Sequence, residues 1–254
     1  MRKNRLLSIV LCLALLCCFL SPLDALANDV SSGEPDGRVK SVYTIKMDSL
    51  NEVMNPNRDY LLLVNSTHKY EFGGYYDINI QKDLIYCVND VDGDTMAAEK
   101  AAYLAYTMLK RDLEMSNGIK LGIYDGYRTA ADQEYLIKLL RTPDNPVADV
   151  GYSEAHTGLL LTMVIWDRSS GTWASSLDAE QVRKDFATMH KKAADYGFIV
   201  RYPEGKESIT GVHYWPSNMR FVGSPAVAHR IMDNGLTLEE FLDEIKNPTR
   251  SKSK

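Results

Sequence analysis

The chain has 254 residues, of which 45% are hydrophobic, with 29 basic and 34 acidic side chains and a net charge of −5. This acidic balance disfavours nucleic acid as a partner, because a phosphate backbone requires an excess of lysine and arginine. The length and the apolar content suit one single-core domain behind a short leader.

Residues 1–27 have the three parts of a secretory signal peptide. MRKNR is basic, LLSIVLCLALLCCFL is apolar, and Ala25-Leu26-Ala27 matches an A-x-A cleavage site. We therefore expect a secreted or extracytoplasmic protein, with an N-terminal membrane anchor as the alternative if the signal stays uncleaved. After cleavage the single remaining cysteine is Cys87. It lies in the apolar run LIYCV, which predicts a buried and inert thiol.

The mature chain divides into a linker, a domain and a tail. Residues 28–57 are polar and contain SSGEPDG, which predicts a linker. The folded domain is expected over residues 58–246, and residues 247–254 form a short basic tail.

The first half of the domain mixes strand and helix patterns. YLLLVN (60–65) and LIYCV (84–88) predict strands or buried extended segments. A helical pattern runs from Asp94 to Asn117-Gly118, and IKLGIYDGYR then predicts a strand that leads into a loop. Thr129 and Asp132 have the spacing of a capping box at the start of the next helix.

The second half continues the same mixture. LLLTMVIW (159–166) is apolar on both faces and predicts an interior strand, and residues 178–196 predict a helix that Gly197 caps. FIVRY and VHYW predict strands, and two last helices begin at Ser224-Pro225 and at Thr237. Because helices and strands alternate irregularly, a single α+β domain is the expected class.

Four stretches in this order resemble the D-alanyl-D-alanine carboxypeptidase family of zinc peptidases, which includes vancomycin-resistance carboxypeptidases. They are YLLLVN, DGYRTAADQ, SEAHTGLLLTM and RYPEGKESITGVHYWPSNMRFVG followed by GLTLEEFL, and together they span residues 59–243. The resemblance implies a central antiparallel sheet flanked by helices. It also implies zinc as cofactor, cell-wall association, and peptidoglycan stem peptide as ligand.

The metal pattern of that family is S-x-H-x-x-G-x-A-x-D followed by E-x-W-H, in which two His and the Asp bind zinc and the Glu is the general base. Ser153 and Gly158 match the first pattern unshifted. The three ligand positions are then occupied by Ala155, Thr162 and Asn218. Arg220-Phe221-Val222-Gly223 anchors the second pattern and places Trp215 at the general-base position.

These replacements argue against zinc chemistry. A catalytic zinc ion needs about three protein ligands and one open position for water. Alanine has no donor atom, and neutral threonine and asparagine oxygens hold zinc poorly beside imidazole and carboxylate. Without the ion, the pKa of the attacking water is not lowered. Without a carboxylate at the position of Trp215, no group there accepts the proton of that water. We therefore expect no metal, no cofactor and no catalytic residue at these positions.

An active carboxypeptidase with a rebuilt metal site is the alternative. His156 lies one residue past the first ligand position, and such a shift in an extended segment turns a side chain to the opposite face. We interpret His156 as a loop histidine rather than a ligand. A rebuilt site would need His156 or His213 together with carboxylates from elsewhere in the chain.

The positions that contact substrate in the family are retained. Tyr127-Arg128 match the family's S-G-Y-R-S, whose Arg meets the substrate carboxylate or the developing oxyanion, and Ser153 and Gln133 match as well. A planar guanidinium accepts a carboxylate bidentately. An ion pair of Arg128 with Asp125 is an equally good interpretation.

Three hypotheses follow. We favour an exported, catalytically inactive homologue that binds cell-wall stem peptide or a protein partner through a retained groove. The second hypothesis is the active metallopeptidase, and the third is an interaction module whose groove is filled by Trp215 and Leu160. Trp215 is expected to pack into the volume that the metal centre vacates. The physiological ligand and the oligomeric state stay open.

Overall fold

The computed structural model describes residues 50–143 and 147–248. Within them, the strands are β1 (Leu84–Val88), β2 (Thr95–Glu99), β3 (Leu121–Asp125), β4 (Leu160–Asp167), β5 (Thr172–Ala174), β6 (Phe198–Val200) and β7 (Asn218–Phe221). β1 and β2 form an antiparallel hairpin. The other five strands form an antiparallel sheet in the order β3-β4-β7-β6, with β5 paired to the end of β4.

Helices flank this sheet, and residues 50–53 are helical as well. The flanking helices are α1 (Tyr75–Asp83), α2 (Lys100–Asn117), α3 (Ala130–Leu140), α4 (Glu180–Ala193), α5 (Glu207–Thr210), α6 (Pro225–Met232) and α7 (Leu238–Lys246). Two 3-10 turns cover Glu154–Thr157 and Ala194–Tyr196. The predicted α+β class is confirmed. No helix in the described residues combines the length and apolarity needed to cross a membrane.

The sheet is covered on both sides at β6. Phe198 and Val200 point into the main core, which α2 and α4 complete with residues such as Leu109 and Phe186. Ile199, between them, points into a second cluster formed with α6 and α7. Period-2 alternation along the strand therefore fills two apolar layers.

Several expected elements agree with the structure. Strands are found at LIYCV, at LGIYD within IKLGIYDGYR, at LLTMVIW within LLLTMVIW, and at FIV, which is β6. Thr129–Asp132 and Thr237–Glu240 both form complete capping boxes. Gly197 follows the 3-10 turn in the left-handed region at φ 76°.

YLLLVN, expected as a strand or a buried extended segment, forms no strand, but Tyr60 and Val64 are buried and Leu61 and Leu63 pack against the second cluster. Two other expected assignments were wrong. The helix begins at Lys100 rather than near Asp94, because pairing of Thr95–Glu99 with β1 overrides the helix propensity of Met, Ala and Glu. VHYW lies outside any strand, and the strand starts three residues later, where Asn218 pairs with Thr162.

The expected linker boundary also needs correction. Leu50 is buried in the main core, and the Asn55 amide donates to Asp83 at 2.8 Å. The folded domain therefore begins by residue 50, not at residue 58. The proposed signal peptide, most of the linker and most of the basic tail lie outside the described residues.

A buried ionic network joins distant parts of the chain around Glu154. The Glu154 carboxylate accepts from Nε of Arg220 at 2.8 Å and from Nε of Arg201, and all three side chains are fully buried. Arg201 also forms a bidentate pair with Glu239 of α7 at 2.7 and 3.0 Å. Arg220 donates to the carbonyl oxygens of Tyr60 and Leu62 at 3.1 and 3.0 Å. The network thus links YLLLVN, the 3-10 turn, β6, β7 and α7.

The two arginines differ in how well their charge is compensated. Burial alone would lower the pKa of Arg201, but the carboxylates of Glu154 and Glu239 outweigh it and the pKa is raised. Burial lowers the pKa of Arg220, whose direct carboxylate partner is Glu154. The charge of Glu154 is therefore what allows Arg220 to stay buried.

We expect Glu154→Gln to destabilise the fold by about 3–5 kcal/mol, because the neutral amide leaves buried guanidinium charge uncompensated. Glu180→Gln is the matched control. It breaks an exposed pair with Lys184 on α4 and should cost less than about 0.5 kcal/mol. Urea denaturation measures both. Equal, small changes would contradict the role given to Glu154.

Candidate functional site

One groove of about 1270 Å³ collects the positions singled out from the sequence. It is bordered by the β1–β2 hairpin, the start of α3 and the loop that precedes β7. Its lining includes Tyr127, Arg128, Gln133, Ser153, Ala155, Thr162, His213, Trp215 and Asn218. These nine positions, up to 91 residues apart in the chain, therefore share one cavity.

The turn that follows Ser153 sets the floor of the groove. Gly158 ends the turn with a φ of 68°, and its N–H donates to the Ala155 carbonyl. A side chain at Gly158 would be strained at this φ and would also press on Ile80 at 3.1 Å. The Ala155 carbonyl in addition accepts from the N–H of Arg128 at 3.2 Å. The turn and the Tyr127-Arg128 loop therefore hold each other in place.

Two of the positions that the resemblance assigns to zinc ligands are hydrogen-bonded to each other. Thr162 on β4 and Asn218 on β7 are directly opposed in the sheet. The Thr162 hydroxyl donates to Oδ1 of Asn218 at 3.2 Å. The third position, Ala155, is 3% exposed and carries only a methyl group. The Thr162 hydroxyl and the Asn218 carbonyl oxygen are thus paired as neutral groups.

His156 does not face the groove. It is completely buried, and its Nε2 accepts from the N–H of Gly151 at 3.2 Å. Its Nδ1 lies 2.8 Å from the Arg128 carbonyl, so Nδ1 carries the proton. Burial lowers the pKa of this imidazole and keeps it neutral. Both ring nitrogens are occupied, as expected of a loop histidine.

Arg128 combines the two roles between which the sequence could not choose. Its Nε donates to Asp125 at 2.8 Å, and Nη2 contacts the same carboxylate. Its Nη1 approaches Oε1 of buried Gln133 within 3.4 Å, and the side chain lines the groove with about a quarter of its surface exposed. Gln133 is itself fixed by the Ala148 carbonyl at 2.8 Å. The guanidinium is thus oriented by its neighbours and open to a ligand.

Tyr127 is hydrogen-bonded to β2 through its backbone and to α1 through its hydroxyl. Its N–H donates to the Ala97 carbonyl on β2 at 2.6 Å, and its hydroxyl accepts from the Gln81 amide at 2.8 Å. Burial raises the pKa of this hydroxyl. Ser153 is 7% exposed at the groove floor.

The expectation that Trp215 packs into a vacated volume was wrong. Its side chain is 37% exposed and lies on the groove wall. The ring stacks on the exposed His213 ring with a centroid separation of 5.2 Å and an angle of 19°. The loop is fixed by its backbone, since the Trp215 N–H donates to Tyr202 at 3.1 Å. Trp215 and Leu160 therefore leave the groove open.

Sequence reasoning missed two sets of groove residues. The first is Glu154, which the family pattern places at a variable position. The signal for it is indirect: Arg201 in FIVRY and Arg220 in MRFVG lie inside apolar runs, and buried arginines require a buried carboxylate. The exposed tyrosines Tyr86, Tyr124 and Tyr135 on the groove rim gave no local signal, because they converge only through the fold.

Cys87 is half-buried, and burial raises the pKa of its thiol, consistent with an inert cysteine.

Comparison with known proteins gives the same family as the residue pattern. The model of the VanY family, described as D-alanyl-D-alanine carboxypeptidase, matches residues 95–224. The putative carboxypeptidase YodJ of Bacillus subtilis (strain 168) is 33% identical over 214 residues, which cover 79% of this chain and 73% of that protein. The chain belongs to the D-alanyl-D-alanine carboxypeptidase family. A D-alanyl-D-alanine carboxypeptidase of Enterococcus faecium is 30% identical over 150 residues, which cover 57% of this chain and 45% of that enzyme.

Solved structures of related carboxypeptidases share the fold. The LdcB LD-carboxypeptidase, whose structure addresses peptidoglycan recognition, has a TM-score of 0.58 at 29% identity and covers 71% of this chain and 84% of its own. VanYB in complex with D-alanine-D-alanine has a TM-score of 0.56 at 22% identity, covering 72% and 97%. The central antiparallel sheet flanked by helices, implied by the resemblance, is confirmed.

The residues at the family's metal positions do not fit zinc. Ala155 offers no donor atom, and the Thr162 hydroxyl and Asn218 carbonyl oxygen are paired with each other. Within residues 50–143 and 147–248, no three His, Cys, Asp or Glu side chains are grouped to hold a metal ion. No step of a mechanism can be built through zinc on this donor set.

His156 makes the stability of the fold dependent on pH. Its pKa is lowered in the folded state, so the unfolded chain binds its proton more readily and stability falls as the pH drops below about 6.5. His156→Gln keeps one donor and one acceptor but cannot titrate. The free energy of unfolding of this variant should depend less on pH between pH 7 and pH 5 than that of the wild type. The two slopes should differ by up to about 1.4 kcal/mol per pH unit.

Urea denaturation at several pH values measures this difference. Buried His190, whose pKa burial also lowers, is unchanged in both proteins and serves as an internal reference. Identical pH profiles for wild type and His156→Gln would contradict the assignment.

Proposed function

We propose that this protein is an exported, catalytically inactive member of its family that binds peptidoglycan stem peptide through the retained groove. The observation that carries the proposal is the Thr162–Asn218 hydrogen bond beside Ala155, at the positions where the family binds zinc. Three neutral residues take the place of three ligands, and an indole takes the place of the general base.

The loss of catalysis follows from the chemistry of water activation. Zinc in a catalytic site lowers the pKa of its bound water far below that of free water, to about 7. Trp215 cannot accept a proton, and His213, stacked on it, is exposed, while Thr162 and Asn218 are hydrogen-bonded to each other. A nucleophile is therefore neither generated nor deprotonated at this position.

The retained groove supports binding. Arg128 is oriented by Asp125 and Gln133 and keeps exposed surface toward the cavity. A guanidinium in such a setting binds a peptide carboxylate by charge-assisted hydrogen bonds. Relatives with this fold are described in complex with D-alanine-D-alanine or as recognising peptidoglycan. The signal-peptide pattern expected over residues 1–27 supports a location outside the cytoplasm, where that ligand occurs.

Metal content tests the inactive state. The purified protein, exposed to zinc and then freed of unbound metal, should contain no stoichiometric zinc by elemental analysis. The variant Ala155→His/Thr162→Asp/Trp215→Glu/Asn218→His restores the ligands and should hold about one ion per chain. One equivalent of zinc in the wild type would instead support the active metallopeptidase with a rebuilt site.

Peptide binding tests the groove. A pentapeptide ending in D-Ala-D-Ala should bind the wild type, and Arg128→Ala should weaken binding about tenfold or more, because a charged hydrogen-bond donor is lost. Arg183→Ala on α4, away from the groove, is the matched control. Titration calorimetry measures all three proteins. If Arg128→Ala changes only thermal stability, the groove serves a protein partner or the scaffold instead.

A further inference from the structure

One long edge of the β1–β2 hairpin is free. β1 pairs with β2 and, among the described residues, with no other strand. Tyr86 lies opposite Ala97 in the hairpin, and the Ala97 carbonyl accepts from the N–H of Tyr127 rather than from β1. Tyr86 and Ala97 thus form one of the non-hydrogen-bonded pairs that alternate along an antiparallel ladder. The backbone N–H and C=O groups of Tyr86 and, two residues further on, of Val88 therefore point away from β2, and no described residue hydrogen-bonds to them.

This edge lacks the features that usually keep a second strand away. Edge strands of monomeric proteins are protected by a charged residue, a proline or a bulge. β1 has the uncharged, proline-free sequence LIYCV, and its register with β2 is continuous over all five residues. Tyr86 is 70% exposed and Val88 63%. Because aromatic and β-branched side chains stabilise cross-strand pairs, the edge is suited to receive another strand.

The charges at the two ends of β1 indicate the direction of that strand. Lys82, two residues before β1, is exposed and forms no ion pair in the described part of the chain. Asp92 and Asp94 lie in the turn after β1 and are also exposed. An antiparallel copy of the same edge brings Lys82 of each chain beside the acidic turn of the other chain, whereas a parallel copy brings like charges together. The edge is therefore complementary to itself in the antiparallel orientation.

We propose that the protein forms a two-fold symmetric dimer in which β1 pairs antiparallel with β1 of a second copy, with Tyr86 on the axis. Tyr86 then faces its own counterpart as a hydrogen-bonded pair, and Val88 faces Leu84 of the other copy. The two hairpins become one continuous sheet. Such an interface covers the free edge of both copies at once, whereas an added peptide strand leaves its own outer edge open. This inference is independent of the ligand of the groove.

Sedimentation velocity of the purified protein tests for the dimer. Five paired residues bury less surface than a standard interface, so we expect a monomer–dimer equilibrium with a dissociation constant of about 1–100 µM. Val88→Lys places a charge on the edge and should raise this constant at least about tenfold. Met115→Lys introduces the same charge on α2, where Met115 is 75% exposed, and should leave the constant unchanged.

Two results of this experiment overturn the proposal. The first is a protein that stays monomeric throughout the concentration series, as expected if the edge binds a peptide or nothing. The second is a dimer that Val88→Lys does not weaken, because such a dimer uses another surface.

Cysteine cross-linking locates the axis of the dimer. The Cα atoms of a hydrogen-bonded antiparallel pair lie about 5.5 Å apart, within the range of a disulfide. With the four native cysteines replaced by serine, Tyr86→Cys should therefore give a disulfide-linked dimer on mild oxidation. Val88→Cys should not, because its Cα lies about 13 Å from its counterpart, four residues along the paired strands. Cross-linking of Val88→Cys instead, or of neither variant, overturns the proposed pairing.

Discussion

The buried carboxylate of Glu154 is the constraint on which the rest of the domain depends. It neutralises Arg220 of β7 and Arg201, which directly follows β6, and Arg201 extends the contact to α7 through Glu239. Because buried charges are costly without partners, the strands, the 3-10 turn and α7 must form together. Glu154 is also the residue between Ser153 and Ala155, so the same interaction fixes the floor of the groove.

The residues that hold the scaffold of this protein are different from those at the family's metal positions. The positions that hold the fold, such as Glu154, Arg220 and Gly158, are charged or conformationally required and make defined contacts. The positions of the family's metal site carry neutral side chains, and Thr162 and Asn218 form an ordinary cross-strand pair. A groove can therefore persist after its reaction centre is lost, which is the state we propose here.

Much of the fold could be predicted from sequence where local signals are strong. The capping box at Thr129 and the apolar run of β4 required no tertiary information. Thr95–Glu99 was misassigned because pairing with β1 outweighs helix propensity, and VHYW because its backbone bonds to Tyr202 instead of a neighbouring strand. For the site, the family pattern identified the residues at the centre of the groove. The tyrosine rim and the exposure of Trp215 arise only when distant segments meet.

Release of D-alanine is the most direct measurement of the central claim. The protein is incubated with a pentapeptide ending in D-Ala-D-Ala and excess zinc, and free D-alanine is followed over time, with and without a chelator. We expect no release above that of buffer containing zinc, because the donor set of Ala155, Thr162 and Asn218 cannot activate water. Release that depends on the protein and stops with chelator would contradict the account and show a working metal site.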